Sequence, residues 1–299
     1  MPLPGQRPRL VEDDPDAPRR LEAILASPSY READEDVGLL HQDETRGVRL
    51  QLDYLKTESL LAARGIRHTI VVFGSTRIPD PASAQRDADL MRRALAEAPE
   101  DPERQRKAMV AERILAKSRY YGVAREFGRL VGSAPRQPDG SPIVVMTGGG
   151  PGTMEAANRG AYDVGAESVG LNIRLPREQY PNPYVTPDLC FRFHYFALRK
   201  LHLVKRARAL VAFPGGYGTF DELFETLTLV QTRTIEPIPV ILVGEAYWRR
   251  AFDVDFLVAE GVIDEEDRDL FWFAETAQDI WDGILHWYKL AGKPLVRNA

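Results

Sequence analysis

The chain has 299 residues, long enough for one large domain or a domain with extensions, and able to bury a substantial core. Its formal net charge of −5 argues against a nucleic-acid-binding surface as its main business. The one cysteine, Cys190, excludes an internal disulfide framework and any CxxC metal or redox motif, and no apolar run reaches the roughly 18 residues of a membrane span.

Residues 1–20 are rich in proline and charge and lack the apolar core of a signal peptide, so a soluble, cytoplasmic protein is expected. Prolines and acids continue through residues 1–45, read as an arm with one short helix around 19–26. From 47 to 65 the positions of Val48, Leu50, Leu52, Leu55, Leu60 and Leu61 predict a helix that ends at Gly65. TIVVF at 69–73 reads as a buried strand running into Gly74-Ser75-Thr76-Arg77. Residues 79–118 are charged and alanine-rich, an inserted pair of helices broken near 99–102.

A helix at 120–131 and a loop at 133–142 lead to a strand at 143–146, which opens into TGGGPGT (147–153) and a helix at 154–164. A strand at 168–173, a proline-rich loop at 174–187, a short strand within 190–195 and a basic helix, FALRKLHLVKR (196–206), follow. The apolar run 209–213 is a further strand. It makes a glycine turn and enters a helix marked by Phe220, Leu223, Phe224 and Leu227. Strands at 239–243 and 270–273 and helices from about 246 and at 277–290 complete the chain. Buried strands alternating with helices predict an α/β fold, a doubly wound parallel sheet with helices on both faces. Ligands bind such sheets at the carboxyl ends of the strands, where all three glycine loops sit.

FPGGYGTFDELFETLTLVQ (213–231) concentrates the chemistry. Gly215, Gly216 and Gly218 let the backbone come close to a ligand, the first-turn N–H groups and their dipole attract an anion, and Thr219 adds a hydroxyl. Asp221 reads as favourable pairing with that dipole; Glu222, one turn in, needs another explanation. Gly149-Gly150-Pro151-Gly152-Thr153 echoes Gly215-Gly216-Tyr217-Gly218-Thr219. Either two turns share one tight geometry, or two helix mouths converge on one ligand. GxGxxG fails in both loops, and GxxxxGK[ST], HExxH and GxSxG are absent. What remains is a mononucleotide-sized anion site containing one carboxylate.

PGGYGTFDE (214–222) matches PGGxGTxxE, so the chain resembles the LOG family of nucleoside 5′-monophosphate phosphoribohydrolases, long labelled "lysine decarboxylases". The Arg-Lys pair upstream is Arg199-Lys200, the earlier glycine turn is Gly148-Gly149-Gly150, and the first-strand loop is Phe73-Gly74-Ser75. The resemblance runs from about 68 to 290. It departs from compact members in the 1–67 extension, the 79–118 insertion and the GPGT form of the turn, as in a longer bacterial type.

The resemblance implies a Rossmann-like catalytic domain at 68–290 between a helical extension (1–67) and a tail (291–299). It implies hydrolysis of an N-glycosidic bond in an AMP-type or cytokinin riboside monophosphate, releasing base and ribose 5-phosphate. Glu222 and Arg199 are then the catalytic pair, and Gly215, Gly216, Tyr217, Gly218 and Thr219 hold the phosphate. Gly74, Ser75, Gly148, Gly149, Gly150, Thr153 and Lys200 complete the nucleotide site. The residues that meet the base are sought at 75–77 or 174–187. No metal or cofactor is implied, nor nucleic-acid or membrane partners; a homodimer or higher homo-oligomer is. The rival is a non-catalytic nucleotide or cofactor carrier, resembling the molybdenum-cofactor carriers, which would need the glycine loops but not Glu222 with Arg199.

Overall fold

The structure, a computed structural model, describes residues 10–174 and 180–296. The start of the expected arm (1–9), the middle of the expected loop (175–179) and the end of the tail (297–299) lie outside the described residues. The chain divides into two compact units, Met1–Tyr54 and Leu55–Ala299, a line that falls within a helix; the sequence reading drew it at 67/68.

The first unit holds helices α1 (Ala17–Leu25) and α2 (Val37–Leu40) and the start of α3 (Arg46–Ala63). Asp36 caps α2 by accepting from the Leu39 N–H at 3.1 Å. Arg49 Nη1 donates to the carbonyls of Leu40 and Gln42 at 2.6 and 2.5 Å, which satisfies the end of that short helix.

In the second unit seven strands among the described residues form one sheet. They are β1 (His68–Phe73), β2 (Ile143–Thr147), β3 (Ser168–Ile173), β4 (Cys190–Phe193), β5 (Ala207–Ala212), β6 (Val240–Val243) and β7 (Trp272–Ala274). Their order is β4-β3-β2-β1-β5-β6-β7, and every neighbouring pair is parallel. The doubly wound α/β sheet expected from the alternation of apolar runs and helices is the one observed.

Period-two alternation explains why both faces are covered. Ile70 and Val72 of β1, Val145 of β2 and Val211 of β5 join one core cluster, while Val71, Phe73, Met146 and Leu210 join the other. The first cluster is closed by α6 (Arg119–Gly132), α7 (Thr153–Asp163) and α12 (Ala277–Leu290), through residues such as Phe127, Ala157 and Ile280. The second is closed by Leu61 of α3, Leu203 of α8 (Phe196–Lys205), Leu223 of α9 (Tyr217–Gln231) and Trp248 of α10 (Glu245–Ala251).

The insertion is a helix pair, α4 (Pro81–Glu97) and α5 (Pro102–Lys117). Asp80 and Asp101 cap the two N-termini, each followed by a proline whose missing N–H costs nothing there. Arg92 of α4 meets Glu112 of α5 through two hydrogen bonds of 2.5 and 2.9 Å.

Some elements depart from expectation. The expected strand at 270–273 begins at Trp272, because Leu270 ends a 3-10 turn, Glu265–Leu270. A reciprocal cap between Asp264 and Asp267 holds that turn, and Gln231 Nε2 donates to Asp267 at 2.6 Å. A short helix, α11 (Val254–Ala259), was not foreseen; Asp253 caps it. Helix α9 starts at Tyr217, three residues before its apolar stripe, since an exposed first turn carries no hydrophobic period.

Candidate active site

The chain reverses its direction of winding between β1 and β5, which lie side by side at the centre of the sheet. A crevice forms beyond the carboxyl ends of such strands. The loops that follow them are laced together: Phe213 N donates to Phe73 O at 2.8 Å and Ser75 N to Pro214 O at 3.0 Å. A cavity of about 560 Å³ opens at this point, within the usual range for a small ligand.

One wall is formed by Gly216, Tyr217, Gly218 and Thr219; Gly215, which the sequence also placed at the phosphate, does not line the cavity. A Cβ on Gly215 would overlap Thr219 Oγ1, so the close approach of turn and helix requires glycine there. Added at Gly216 or Gly218, a Cβ meets nothing within 4 Å; those two glycines open onto free space. No side chain caps α9; the Thr219 and Phe220 N–H groups donate to Gly216 O at 2.9 and 3.1 Å, which leaves those of Tyr217 and Gly218 for the cavity that Gly216, Tyr217, Gly218 and Thr219 line. Tyr247 of α10 donates its hydroxyl to Gly215 O from behind and pins the turn.

Glu222 lies one turn further along α9 and is 2% exposed, and Arg199 of α8 is 8% exposed. Arg199 Nη2 donates to Glu222 Oε1 at 2.5 Å. Among the described residues the second oxygen, Oε2, accepts no hydrogen bond. The guanidinium lies over the Phe196 ring, 4.7 Å from its centre, which fixes its plane. Burial pushes the Glu222 carboxyl above its usual range, and the opposing pull of Arg199 is the smaller influence. Both side chains line the cavity. Lys200, the next residue, does not: its Nζ pairs with Asp221 at 2.7 Å and Glu225 at 3.2 Å and clamps α8 to α9 from outside.

The second glycine loop forms the facing wall. Gly148 and Gly150 line the cavity, as do Gly74 and Ser75; Gly149 and Thr153 do not. Gly149 packs against Gly170 and Asn172, and Thr153 is fully buried beneath Gly74. Gly152 has φ +72° and presses on the Ser75 carbonyl, a position closed to a larger residue. The echo between the two loops therefore covers unlike roles: one contributes an open helix mouth, whereas the other is jammed against the β1 loop.

Two asparagines hold that second loop. Asn182 donates to Gly150 O and to Asn158 Oδ1, each at 3.0 Å, and its own N–H reaches Gly149 O at 2.8 Å. Thr147 Oγ1 donates to the same Asn158 oxygen at 2.8 Å and accepts from Gly149 N at 2.9 Å. Sequence reasoning missed Asn158, Asn182 and Tyr247. Asn158 carried a signal, a polar residue at helical spacing between the buried Met154 and Ala161; an isolated loop Asn182 and a helix-surface Tyr247 carried none. Asn172, Met154, Phe196 and Arg77 also line the cavity.

Among the described residues no group of three or more His, Cys, Asp or Glu side chains is placed to hold a metal ion, and no helix is long and apolar enough to cross a membrane.

The fold and this crevice define a doubly wound α/β protein with an anion-ready helix mouth above a buried carboxylate–guanidinium pair. A family model described as "possible lysine decarboxylase" matches residues 154–284, which include Arg199 and the whole 214–222 signature. The chain is similar to the cytokinin riboside 5′-monophosphate phosphoribohydrolase LOG of Oryza sativa subsp. japonica, with 30% identity over 140 residues. That match spans 46% of this chain and 57% of the rice protein. It is also similar to the cytokinin riboside 5′-monophosphate phosphoribohydrolase LOG3 of Arabidopsis thaliana, with 29% identity over 140 residues, 46% of this chain and 64% of that one. A solved structure titled as that of TM1055 aligns with 73% of this chain and 98% of its own, at 21% identity and a TM-score of 0.44. The chain is thus similar, over somewhat less than half of its length, to phosphoribohydrolases of the LOG family.

Proposed function

We propose that this protein hydrolyses the N-glycosidic bond of a nucleoside 5′-monophosphate, of the AMP or cytokinin riboside monophosphate type, to the free base and ribose 5-phosphate. The observation that carries this reading is the buried Arg199–Glu222 pair set one helical turn below an open helix mouth, inside one cavity.

The 5′-phosphate sits at the mouth of α9, where unpaired N–H donors, the helix dipole and the free space beside Gly216 and Gly218 favour a compact anion. The ribose then lies over Glu222, and the base extends toward Met154, Asn172 and Phe196. Breaking the C1′–N bond leaves positive charge on the sugar, which the Glu222 carboxylate stabilises. Water adds to C1′ and its proton passes to Glu222 Oε2, the oxygen that Arg199 leaves open. The bonding electrons leave with the base, which takes up a proton. Arg199 keeps the carboxylate in place and offsets part of the cost of ionising it in a buried site. Binding at the phosphate supplies the positioning energy for the reacting end. Gly149, Thr153 and Lys200 serve this site by shaping the loops and the α8–α9 contact. The reading includes a cytoplasmic homodimer or higher homo-oligomer. Tyr217 is 95% exposed, Phe196 45% and Phe224 38%, an apolar fringe at the site's mouth suited to a second copy.

The test is incubation with a panel of nucleoside 5′-monophosphates and the matching nucleosides, with released base measured by chromatography. Release from a monophosphate, weak for the nucleoside and reduced about 10²–10⁴-fold in Glu222→Gln, is the expected result. Nucleotide binding without release from any substrate refutes hydrolysis and leaves a carrier.

A further inference from the structure

The insertion has no part in the chemistry above, yet it contributes to a second cavity. This space, about 690 Å³, lies between α5, the start of α6 and α10, with Phe220 of α9 at one side. Its charged lining residues are Arg113 and Lys117 from α5, Arg119 from α6 and Arg250 from α10; none is acidic. Among the described residues Arg113 and Arg250 make no ion pair. Arg119 pairs with Glu275 at 2.9 Å, and Lys117 Nζ donates to the Arg113 carbonyl at 3.2 Å. Of these four cations, Arg119 alone is paired with a carboxylate among the described residues. In a chain whose overall charge is −5 this concentration is local, not a reflection of composition.

Four cations drawn from three helices are matched by an anion carrying more than one charged group, and guanidinium groups select phosphate through paired N–H donors. The remaining lining includes the half-buried rings of Phe220 and Tyr247, flat surfaces on which a base can stack, whereas the buried Tyr120 ring is covered by the Arg119 guanidinium, 4.6 Å from its centre. Tyr247 is also the residue whose hydroxyl holds Gly215 in the glycine turn, so one hydrogen bond links the lining of this cavity to that turn.

We propose that this cavity is a second anion site, taking a small molecule with two or three linked phosphates, either free or as the tail of a nucleoside di- or triphosphate. Through Tyr247 its occupant bears on the turn at Gly215. Binding itself does not depend on the hydrolase reading.

Isothermal titration calorimetry on the full chain tests it, with tripolyphosphate, ATP and adenosine as probes. Three forms are compared: the natural chain, Arg113→Ala/Arg250→Ala, and Gly216→Asp, which places a carboxylate at the α9 mouth. One tripolyphosphate should bind per chain, with similar affinity in Gly216→Asp and at least tenfold more weakly in the double variant. Arg113→Lys/Arg250→Lys should recover part of the loss, which separates lost charge from lost fold. Tighter binding of ATP than of tripolyphosphate, with none of adenosine, identifies a nucleotide; equal binding identifies the free polyphosphate. Absence of saturable binding overturns the proposal. So does undiminished binding in the double variant, or binding abolished by Gly216→Asp alone. Base-release assays run alongside keep failure of this site distinct from failure of the hydrolase.

Discussion

Replacing Arg199 with methionine keeps an unbranched stem over the Phe196 ring and removes the guanidinium, leaving Glu222 buried without its cation. Breaking a buried pair from one side costs about 3–5 kcal/mol, because the remaining charge has neither water nor partner. The carboxyl can escape that cost by taking a proton. Burial already holds Glu222 above its ordinary range against the pull of Arg199, so deleting the guanidinium raises the folded-state pKa further while the unfolded value stays where it was. Between those two pH values the folded variant binds a proton that the unfolded chain does not, and stability falls as pH rises, by up to about 1.4 kcal/mol per unit. Above the folded pKa the loss levels off. The natural protein has the same sign and a smaller slope.

Urea unfolding at pH 5 and pH 8 measures this directly. With an m-value near 3 kcal/mol/M, the midpoint at pH 8 should drop by about 1 M or more in Arg199→Met, and by clearly less at pH 5. Adding Glu222→Gln should restore most of the midpoint at pH 8, since the double variant buries no charge at this place. Equal stability of Arg199→Met and the natural chain at pH 8 refutes the reasoning. So does a double variant no more stable than the single.

Four further outcomes follow from the same geometry. The acid limb of kcat/KM against pH should lie above the ordinary carboxylate range, because Glu222 must be ionised and burial raises its pKa; a limb near pH 4.5 contradicts a reacting role for Glu222. Gly215→Ala forces the turn off Thr219 and should raise KM for the monophosphate more than tenfold, whereas Gly216→Ala, with free space for its methyl, should leave the melting midpoint unchanged and raise KM only by crowding the ligand. Tyr247→Phe removes the hydroxyl that pins Gly215 and should cost about 0.5–1.5 kcal/mol of stability together with a rise in KM; an unchanged KM separates the turn from phosphate binding. Asn182→Ala strips the donors from Gly150 O and Asn158 Oδ1 and should destabilise by about 1–3 kcal/mol, read by urea unfolding.

Much of this architecture is legible in the chain itself. Runs such as TIVVF and the apolar stripe from Phe220 to Leu227 depend only on side-chain period, so strands, helices and their alternation follow from local pattern. The glycine turn, and Glu222 one turn beyond it, are local too, because helical residues three or four apart share a face wherever the helix sits. Elements defined by capping and exposure were misplaced: α11 and the 3-10 turn before β7 are held by side-chain caps, and α9 begins with exposed residues and no side-chain cap, features that periodicity does not register.

What tertiary structure alone decided is which of these local features meet. Arg199 and Glu222 are 23 positions apart, and only the packing of α8 and α9 on the same face of the sheet brings guanidinium and carboxylate to 2.5 Å, while turning the adjacent Lys200 outward. Gly149 and Gly216 occupy matching places in two similar loops. Yet one is wedged against β3 and the other opens on the cavity, because strand order sets what lies beside each turn. Asn182 and Tyr247 gain their roles solely from carbonyls distant in the chain. Sequence determines conformation within a few residues through backbone sterics and hydrophobic period; contact between distant side chains depends on the long-range closure that folding completes.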